Sequence, residues 1–496
     1  MRLVIVGGTI VTASETFPAD LLIEDGRIIA LGEQLPRDGV QVLDAAGCLV
    51  IPGGVDVHTH CELAMDEFGN VSNSFGAIRV SDDMYYGTAA AAMGGTTCIV
   101  EHPGFGPTGC SLFHQLEVYA RIASGRAVVD YAFHGVLQHV NQAILDEVPK
   151  MVATGYPTLK AYLTYGYALD DVALLAVLDV LTNAGGLLTV HAENHAIVTY
   201  LADRLQKTAS ADPLSLPKSR PPAAEAEAVQ RVLALAGVVR EGGVPVYLVH
   251  LSTAASLTAV RAARAAGQIV FAETCPQYLL LDQSQYAKTW AVEAVEGKDK
   301  DMRIPYELSR RFTGPVGLKY IMAPPLRPTT DVAALWQGLT DGSIDVVATD
   351  HCAFSLADKL DRYARAGSDI FASPGGIPGI ETRLPLLFTY GVLADRISLP
   401  RLVALTATNP ARIMGLAPAK GNLFPGADAD IAILDPTAEH TISAITLRQA
   451  VDYTPFEGLP SRGWPRHVLL RGFFVVHNGC LVANPGVGRE LRRQLS

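Results

Sequence analysis

Two histidines separated by one residue, His58 and His60, are the most chemically informative feature of the sequence. The run 55–60 is rich in β-branched residues and follows a Pro-Gly-Gly turn, which predicts a short buried strand. Side chains alternate across a strand, so both imidazoles are expected to project from the same face. Two imidazoles on one rigid element make half of a metal site. Such a pair also arises by chance, so the prediction depends on whether the chain supplies further ligands.

Further ligand types occur in later apolar segments of the chain. His191 and His250 lie within two such segments, and Asp350 comes near the end of a third. Lys160 lies inside an apolar run, where a lysine is almost never fully buried unless it is paired. We expect these residues to converge on one site. Other histidines near strand ends are interpreted as supporting or packing residues, and the remainder as structural or solvated: His102, His134 and His351 in the first group, and His114, His440, His467 and His477 in the second.

Lys160 determines the kind of metal site that is expected. An ammonium cannot bind a cation, but carbamylation by CO₂ would turn Lys160 into an anionic oxygen donor able to bridge two ions. His58, His60 and Asp350 would hold the more buried ion. His191 and His250 would hold the other. Imidazole with carboxylate-type oxygen suits Zn²⁺ first, with Mn²⁺ or Co²⁺ as alternatives, and two such ions would activate water and polarise a carbonyl.

The elements that must position these residues form a repeating pattern. Short apolar strands alternate with Ala- and Leu-rich helical stretches between residues 52 and 420, which predicts a (β/α)₈ barrel of the α/β class. Catalytic groups in that fold lie at the carboxyl ends of the strands. The eight candidate strands are Val55–His60, Thr96–His102, Val129–Val136, Thr158–Tyr165, Leu187–Glu193, Val244–Ser252, Ile269–Pro276 and Ile344–His351.

The two ends of the chain have a different sequence pattern from the middle. Residues 1–51 and 421–496 read as short strands and turns, including an Asp25-Gly26 hairpin signal. Each end is too small to bury a core alone. We therefore expect one composite β-sandwich domain built from both termini, with the barrel inserted between them.

Composition restricts the class of protein. The chain has 496 residues, with 49% hydrophobic and 18% charged residues, which describes a packed globular protein. A net charge of −11 argues against nucleic acid or an anionic membrane as a partner. The first eight residues are too short for a signal peptide, and no apolar run approaches the length of a membrane span. Seven unpatterned cysteines fit free thiols in a reducing compartment, so we expect a cytoplasmic enzyme.

The sequence motifs around these residues resemble those of the dihydropyrimidinase/hydantoinase family of the amidohydrolase superfamily. Two segments look closest to the bacterial D-phenylhydantoinase branch of that family. The resemblance covers nearly the whole chain. It implies hydrolytic opening of 5-substituted hydantoins or dihydropyrimidines to N-carbamoyl amino acids, by a homo-oligomer, either a tetramer or a dimer. The matching stretches are PGGVDVHTH, GTAAAAMGGTT, HAEN, VHLS, ETCPQYLLLD, APPLRP, ATDHCAF, PGIETRLPLL and GWPRHVLLRG, and the branch segments are FHGVLQHVNQAILDEVP and LKAYLTYGY.

The resemblance also implies residue roles. A metal-bridging hydroxide would attack the ring carbonyl, and Asp350 would carry its proton to the leaving nitrogen. Tyr165 would donate its phenol to the developing oxyanion. Ala323 and Gly375 would hold the ring amide through their main chains, where family members often carry Ser and Asn. The loop 62–81 is longer than usual, and candidate lining residues in it and after Tyr165 are Met65, Phe68, Phe75 and Leu169.

Other functions remain open at this stage. An allantoinase-like cyclic amidase is compatible with the same ligands. Dihydroorotase-like chains carry an arginine where this chain has Glu62, and a mononuclear deaminase would not need Lys160. A non-catalytic scaffold of the same fold is disfavoured because all six ligand types are present. The sequence leaves open the natural ring, the preferred enantiomer, the metal and the oligomeric state.

Overall fold

The structure is a computed structural model that describes residues 2–65, 78–208, 212–288, 291–295 and 311–495. Its centre is a ring of eight parallel strands that pair in sequence order. A bridge between Thr59 and His351 joins the eighth strand to the first. The predicted (β/α)₈ barrel is therefore confirmed. Its strands are Gly54–Thr59, Thr96–Glu101, Asp130–Phe133 continued by Gly135–Val136, Thr158–Tyr162, Leu187–His191, Val246–Leu248, Val270–Thr274 and Val346–Val347.

The third barrel strand is the clearest difference from the sequence prediction. A single strand over 129–136 is wrong, because the ladder changes partner at His134: the segment before it pairs with the second strand and the segment after it with the fourth. The His134 ring lies between Val57 O at 3.1 Å and Thr158 Oγ1 at 2.8 Å. His134 thus contacts the first and fourth strands at the point where its own strand changes partner.

Helices cover the outside of the barrel, and most begin at a side-chain cap. Asp83, Ser111, Asn141 and Asp170 each accept hydrogen bonds from main-chain N–H groups of the following turn. The α-helices are Met84–Met93, Leu112–Ala123, Gln142–Ala153, Asp171–Asn183, His195–Thr208, Ser215–Ser219, Pro222–Val238, Ala254–Ala265, Pro276–Leu280, Thr329–Asp341, Leu356–Arg365, Arg383–Leu387, Leu399–Val403 and Asn409–Ile413.

Both ends of the chain contribute to one sheet. Strand Leu49–Pro52 pairs with Ile431–Asp435, so N-terminal and C-terminal strands lie side by side in a seven-stranded sheet. A four-stranded N-terminal sheet shares a buried apolar cluster with it, which includes Leu3, Val50 and Ile433. In order across each sheet, the strands are Cys480–Leu481, Phe473–His477, Trp464–Leu470, Ile431–Asp435, Leu49–Pro52, Thr9–Val11 and Thr16–Pro18, and Arg27–Gly32, Asp20–Glu24, Arg2–Val6 and Gln41–Asp44.

The Asp25-Gly26 hairpin is confirmed. It joins the antiparallel strands on either side, and both turn residues have positive φ, at 48° and 82°, as the turn type that matches strand twist requires. Among the described residues, three two-stranded ribbons complete the strands: Ala64–Met65 with Ile78–Arg79, Ala291–Val295 with Arg311–Pro315, and His440–Thr441 with Pro460–Ser461.

The helices and the cysteines of the described part of the chain can be compared with the sequence predictions. None of its helices has the length and apolar character needed to cross a membrane. All seven cysteines lie within it, and each is a free thiol. Phe68 and Phe75, two candidate lining residues, lie outside the described residues, as does the side chain of Met65.

Candidate active site

The predicted site residues come together at the carboxyl end of the barrel. His58 lies in the first strand and Lys160 in the fourth, both fully buried. His191 is the last residue of the fifth strand. Together with the residues expected to bind substrate, they line one cavity of about 330 Å³, so every member of the predicted set faces the same space: His58, His60, Lys160, Tyr165, His191, His250, Ala323, Asp350 and Gly375.

The ligand-type atoms form two neighbouring groups. Asp350 Oδ1 lies 3.1 Å from His58 Nε2 and 3.2 Å from His60 Nε2. His191 Nδ1 lies 2.8 Å from His250 Nε2. Lys160 Nζ lies 3.4 Å from His58 Nε2, so the amine adjoins the first group. Because ligand atoms of His58, His250 and Asp350 all lie within 4.8 Å of one another, the two groups are continuous.

Burial holds these groups in forms that bind metal. It lowers the pKa of His58 and of His250 well below the usual range, so both imidazoles are neutral. Burial raises the pKa of the Asp350 carboxyl, but the nearby His58 and His60 outweigh it and lower that pKa to about 2. Burial also lowers the pKa of Lys160 to about 8, which makes a neutral, nucleophilic amine accessible. Neutral imidazole and ionised carboxylate are the protonation states that coordinate divalent ions.

Two buried glutamates contact the ring nitrogens of His58 and His191 that point away from the ligand group, and so orient these histidines. Glu273 Oε1 lies 2.7 Å from His58 Nδ1 and accepts the main-chain N–H of His250 at 3.0 Å. Glu193 Oε2 lies 2.8 Å from His191 Nε2. Carboxylate–histidine pairs of this kind fix the ring orientation of metal-binding histidines. Neither glutamate was predicted as a site residue from the sequence, although Glu273, like Lys160, lies within an apolar strand.

Three site residues have backbone conformations that the strand prediction missed. Tyr165, His250 and Asp350 have φ values of 68°, 39° and 52°. These are left-handed conformations that residues other than glycine rarely adopt. The observed strands therefore end earlier than predicted, and these three residues lie just beyond the strand ends. Their side chains turn into the cavity because the main chain leaves the strand there.

Another histidine lies closer to the ligand group than expected. His102 is buried, and one of its ring nitrogens lies within 4.8 Å of a ring nitrogen of His58 and of one of His60. Its ring stacks on His134 with centroids 4.1 Å apart. His351 instead accepts the Gly379 N–H and faces Asp82, with Nε2 3.0 Å from its carboxylate.

The rest of the cavity is mainly apolar and aromatic. Phe105 stacks on Tyr167 with ring centroids 4.0 Å apart, and Tyr162 lies 5.5 Å from Phe105. Leu63 and Met322 also line the space. Leu169, a candidate lining residue, is instead buried in the main core. This part of the cavity lining therefore suits an apolar, flat substituent.

A (β/α)₈ barrel with imidazoles, a carboxylate and a buried lysine at its carboxyl end defines a class of metal-site barrel hydrolases. Comparison with family models narrows this class, because residues 49–475 match the amidohydrolase family. The chain belongs to that family.

Named relatives agree with this assignment. The chain is 43% identical over 495 residues to D-phenylhydantoinases of Escherichia coli O1:K1 / APEC and of Shigella boydii serotype 4 (strain Sb227), covering 100% of this chain and 98% of each relative. Among solved structures, a D-hydantoinase matches with a TM-score of 0.89 at 36% identity over 99% of both chains. The dihydropyrimidinase from Brevibacillus agri NCHU1002 matches with a TM-score of 0.88 at 36% identity, over 100% of this chain and 99% of that one.

Proposed function

We propose that this protein is a cyclic amidohydrolase that opens the ring of 5-substituted hydantoins or dihydropyrimidines to give N-carbamoyl amino acids. The observation that carries the proposal is the convergence of the whole predicted residue set on one cavity. The names of the full-length relatives support the same substrate class. An allantoinase-like activity and a non-catalytic scaffold have no comparable support.

The donor set fits two divalent ions. We infer that His58, His60 and Asp350 would hold one ion, and His191 and His250 the other. A carbamate formed from CO₂ on Lys160 would be shared between them, and the low pKa of this buried amine favours that reaction. Imidazole nitrogen with carboxylate-type oxygen favours Zn²⁺, with Mn²⁺ or Co²⁺ as alternatives. When bound, the ions would activate the attacking water and polarise the ring carbonyl.

The chain's own residues would move the protons and bind the new charge. Asp350 stays ionised, so its carboxylate can accept a proton from the attacking water and return it to the leaving ring nitrogen. Tyr165 is 40% exposed, but loss of solvent around its phenol still raises its pKa, so the phenol stays protonated and can donate to the developing oxyanion. Its ring lies 5.3 Å from the His191 ring, at the edge of the ligand group.

The cavity wall supports a preference for an aromatic substituent. Ala323 and Gly375 line the cavity, and their main chains would bind the ring amide. The stacked rings of Phe105 and Tyr167 would then face the group at position 5 of the ring. We therefore propose 5-phenylhydantoin as a better substrate than dihydrouracil.

We propose three further properties of the protein. The free thiols fit a reducing compartment, so we propose a cytoplasmic location. The family resemblance suggests a homo-oligomer, either a tetramer or a dimer. Strand pairing between the two ends of the chain supports a composite domain of residues 1–51 and 421–496 around a catalytic domain of residues 52–420.

Metal content and ring opening measured on the same preparations test the proposal. We expect about two ions per chain in the wild type, with hydrolysis of 5-phenylhydantoin faster than that of dihydrouracil. Lys160→Ala should lose both activities and metal. Metal-loaded protein that is inert on both rings would redirect the search to allantoin and other cyclic amides. A metal-free, inactive wild type from a metal-supplemented preparation would leave only the scaffold.

A further inference from the structure

A second fully buried lysine, Lys359, lies behind the cavity wall. It belongs to the helix Leu356–Arg365, which follows the eighth barrel strand. Its Nζ donates to Ile321 O at 3.0 Å and to Gly376 O at 2.6 Å. Placing an amine fully inside a protein is costly, so a buried lysine on two main-chain carbonyls calls for a specific reason.

The two carbonyls belong to the two segments that form one wall of the cavity. Ile321 directly precedes Met322 and Ala323, and Gly376 directly follows Gly375. The Gly376 N–H also donates to Ile321 O at 2.9 Å. Lys359 therefore joins the same two segments that one main-chain hydrogen bond already links.

Neighbouring contacts hold the Gly376 side of this junction tightly. Gly376 has φ 145°, and a Cβ there would come within 2.6–2.8 Å of Cys352 atoms. Tyr453 Oη donates to Gly376 O at 3.4 Å, and Ser373 Oγ donates to Lys359 O at 2.9 Å. The segment has little room to move while these contacts are intact.

We propose that Lys359 is a positioning residue for substrate binding, because its amine fixes the Ala323 and Gly375 main chains that would hold the ring amide. This inference rests on the proposed function. Both protonation states of the amine can fulfil the role, since even a neutral amine has two N–H donors for two carbonyl acceptors. Burial lowers the pKa of Lys359 to about 7, with Cys352 and Asp452 as the nearby groups that oppose the shift.

Lys359→Met tests the proposal, because methionine keeps the length of the side chain but donates no hydrogen bond. We expect KM for 5-phenylhydantoin to rise about tenfold with kcat within about twofold of the wild type, the pattern of lost binding that is equal in ground and transition states. Metal content should stay unchanged. Lys359→Gln, which retains an N–H₂ group, should recover part of the affinity. Lys150→Met, at an exposed lysine, is the matched control.

Hydrogen exchange supplies a readout that does not depend on activity. In metal-loaded Lys359→Met, amides of 321–323 and 375–377 should exchange faster, with no change in the other barrel segments. Unchanged exchange there, or an unchanged KM in an active enzyme, would overturn the role of Lys359. An inactive wild type would overturn the proposed function instead, and exchange would still decide whether Lys359 holds the two segments. If Lys359→Met fails to fold, the same measurements on Lys359→Gln, with intermediate changes expected, decide the matter.

Discussion

Glu193 Oε2 lies 2.8 Å from His191 Nε2, and this contact determines which nitrogen of His191 faces the cavity. Burial raises the pKa of the Glu193 carboxyl, but the charge of Arg220 and the hydrogen bond from His191 lower it to about 2. An ionised carboxylate only accepts, so His191 Nε2 carries the proton and donates it. The unprotonated Nδ1 then points at His250 Nε2, 2.8 Å away, where a metal ion would bind.

Glu193→Gln should therefore weaken metal binding. Loss of the carboxylate charge makes His191 a poorer ligand and removes the preference for its tautomer, and changes of this kind cost about 10- to 100-fold in affinity. Competition between the protein and a Zn²⁺ chelator measures the effect. Glu241→Gln, at an exposed glutamate, should leave the affinity unchanged. Equal affinities for both variants would show that Glu193 does not orient a ligand.

Tyr165→Phe should lower kcat while leaving the metal site intact. Removing one preorganised donor to an oxyanion costs about 10²- to 10³-fold in kcat. The measurement is the steady-state rate on 5-phenylhydantoin, with metal content determined on the same samples. Tyr200→Phe, on an exposed helix face, should behave as the wild type. A Tyr165→Phe enzyme with full kcat would assign the tyrosine to packing at the cavity mouth.

Arg220→Met should lower activity partly through Tyr165, and metal content is determined on the same samples because Arg220 also binds Glu193. The Arg220 guanidinium lies 5.3 Å from the centre of the Tyr165 ring and also binds Glu193, so it holds the tyrosine against the ligand group. We expect kcat to fall about tenfold in the wild-type background and by a smaller factor in the Tyr165→Phe background. Groups that act as a unit give such non-additive effects in a double-mutant cycle. Strictly additive losses would separate the two residues.

Arg493→Ala should destabilise the protein without changing the site. This arginine of the C-terminal tail is buried, and it donates to Met414 O at 3.1 Å, Phe133 O at 2.6 Å and Thr158 Oγ1 at 2.7 Å. Truncation removes three hydrogen bonds from a buried guanidinium, which we expect to cost about 2–4 kcal/mol in the free energy of unfolding. Urea denaturation measures the loss. The exposed neighbour is the control, since Gln494→Ala should change stability by less than about 0.5 kcal/mol.

The free energy of unfolding of the wild type should increase with pH relative to that of Lys359→Met. Burial lowers the pKa of Lys359 from 10.5 to about 7 in the folded protein. Between these values the unfolded chain binds the additional proton, so the contribution of Lys359 to stability rises by up to about 1.4 kcal/mol per pH unit. It falls again as the pH drops toward 7. Urea denaturation of both proteins at pH 7, 8 and 9 tests this, and a constant difference would contradict it.

The sequence by itself predicted the barrel and a set of residues that the structure brings to one cavity. Period-two alternation places His58 and His60 on one face, and an apolar strand around Lys160 buries that residue, so both properties depend only on chain neighbours. Parallel strands separated by helices then bring their carboxyl ends together. For this reason Lys160 and residues near the other strand ends could be assigned to one cavity from the sequence alone.

Only the tertiary structure decided how those residues are oriented. The left-handed conformations of Tyr165, His250 and Asp350 run against local strand preference, and they persist because surrounding packing fixes them. The carboxylate partner of His58 is Glu273, 215 residues away, and no local pattern links the two. Lys359 likewise acquires its acceptors only when two distant segments meet. Strand periodicity is a property of neighbours in the chain, whereas these contacts exist only once the barrel closes.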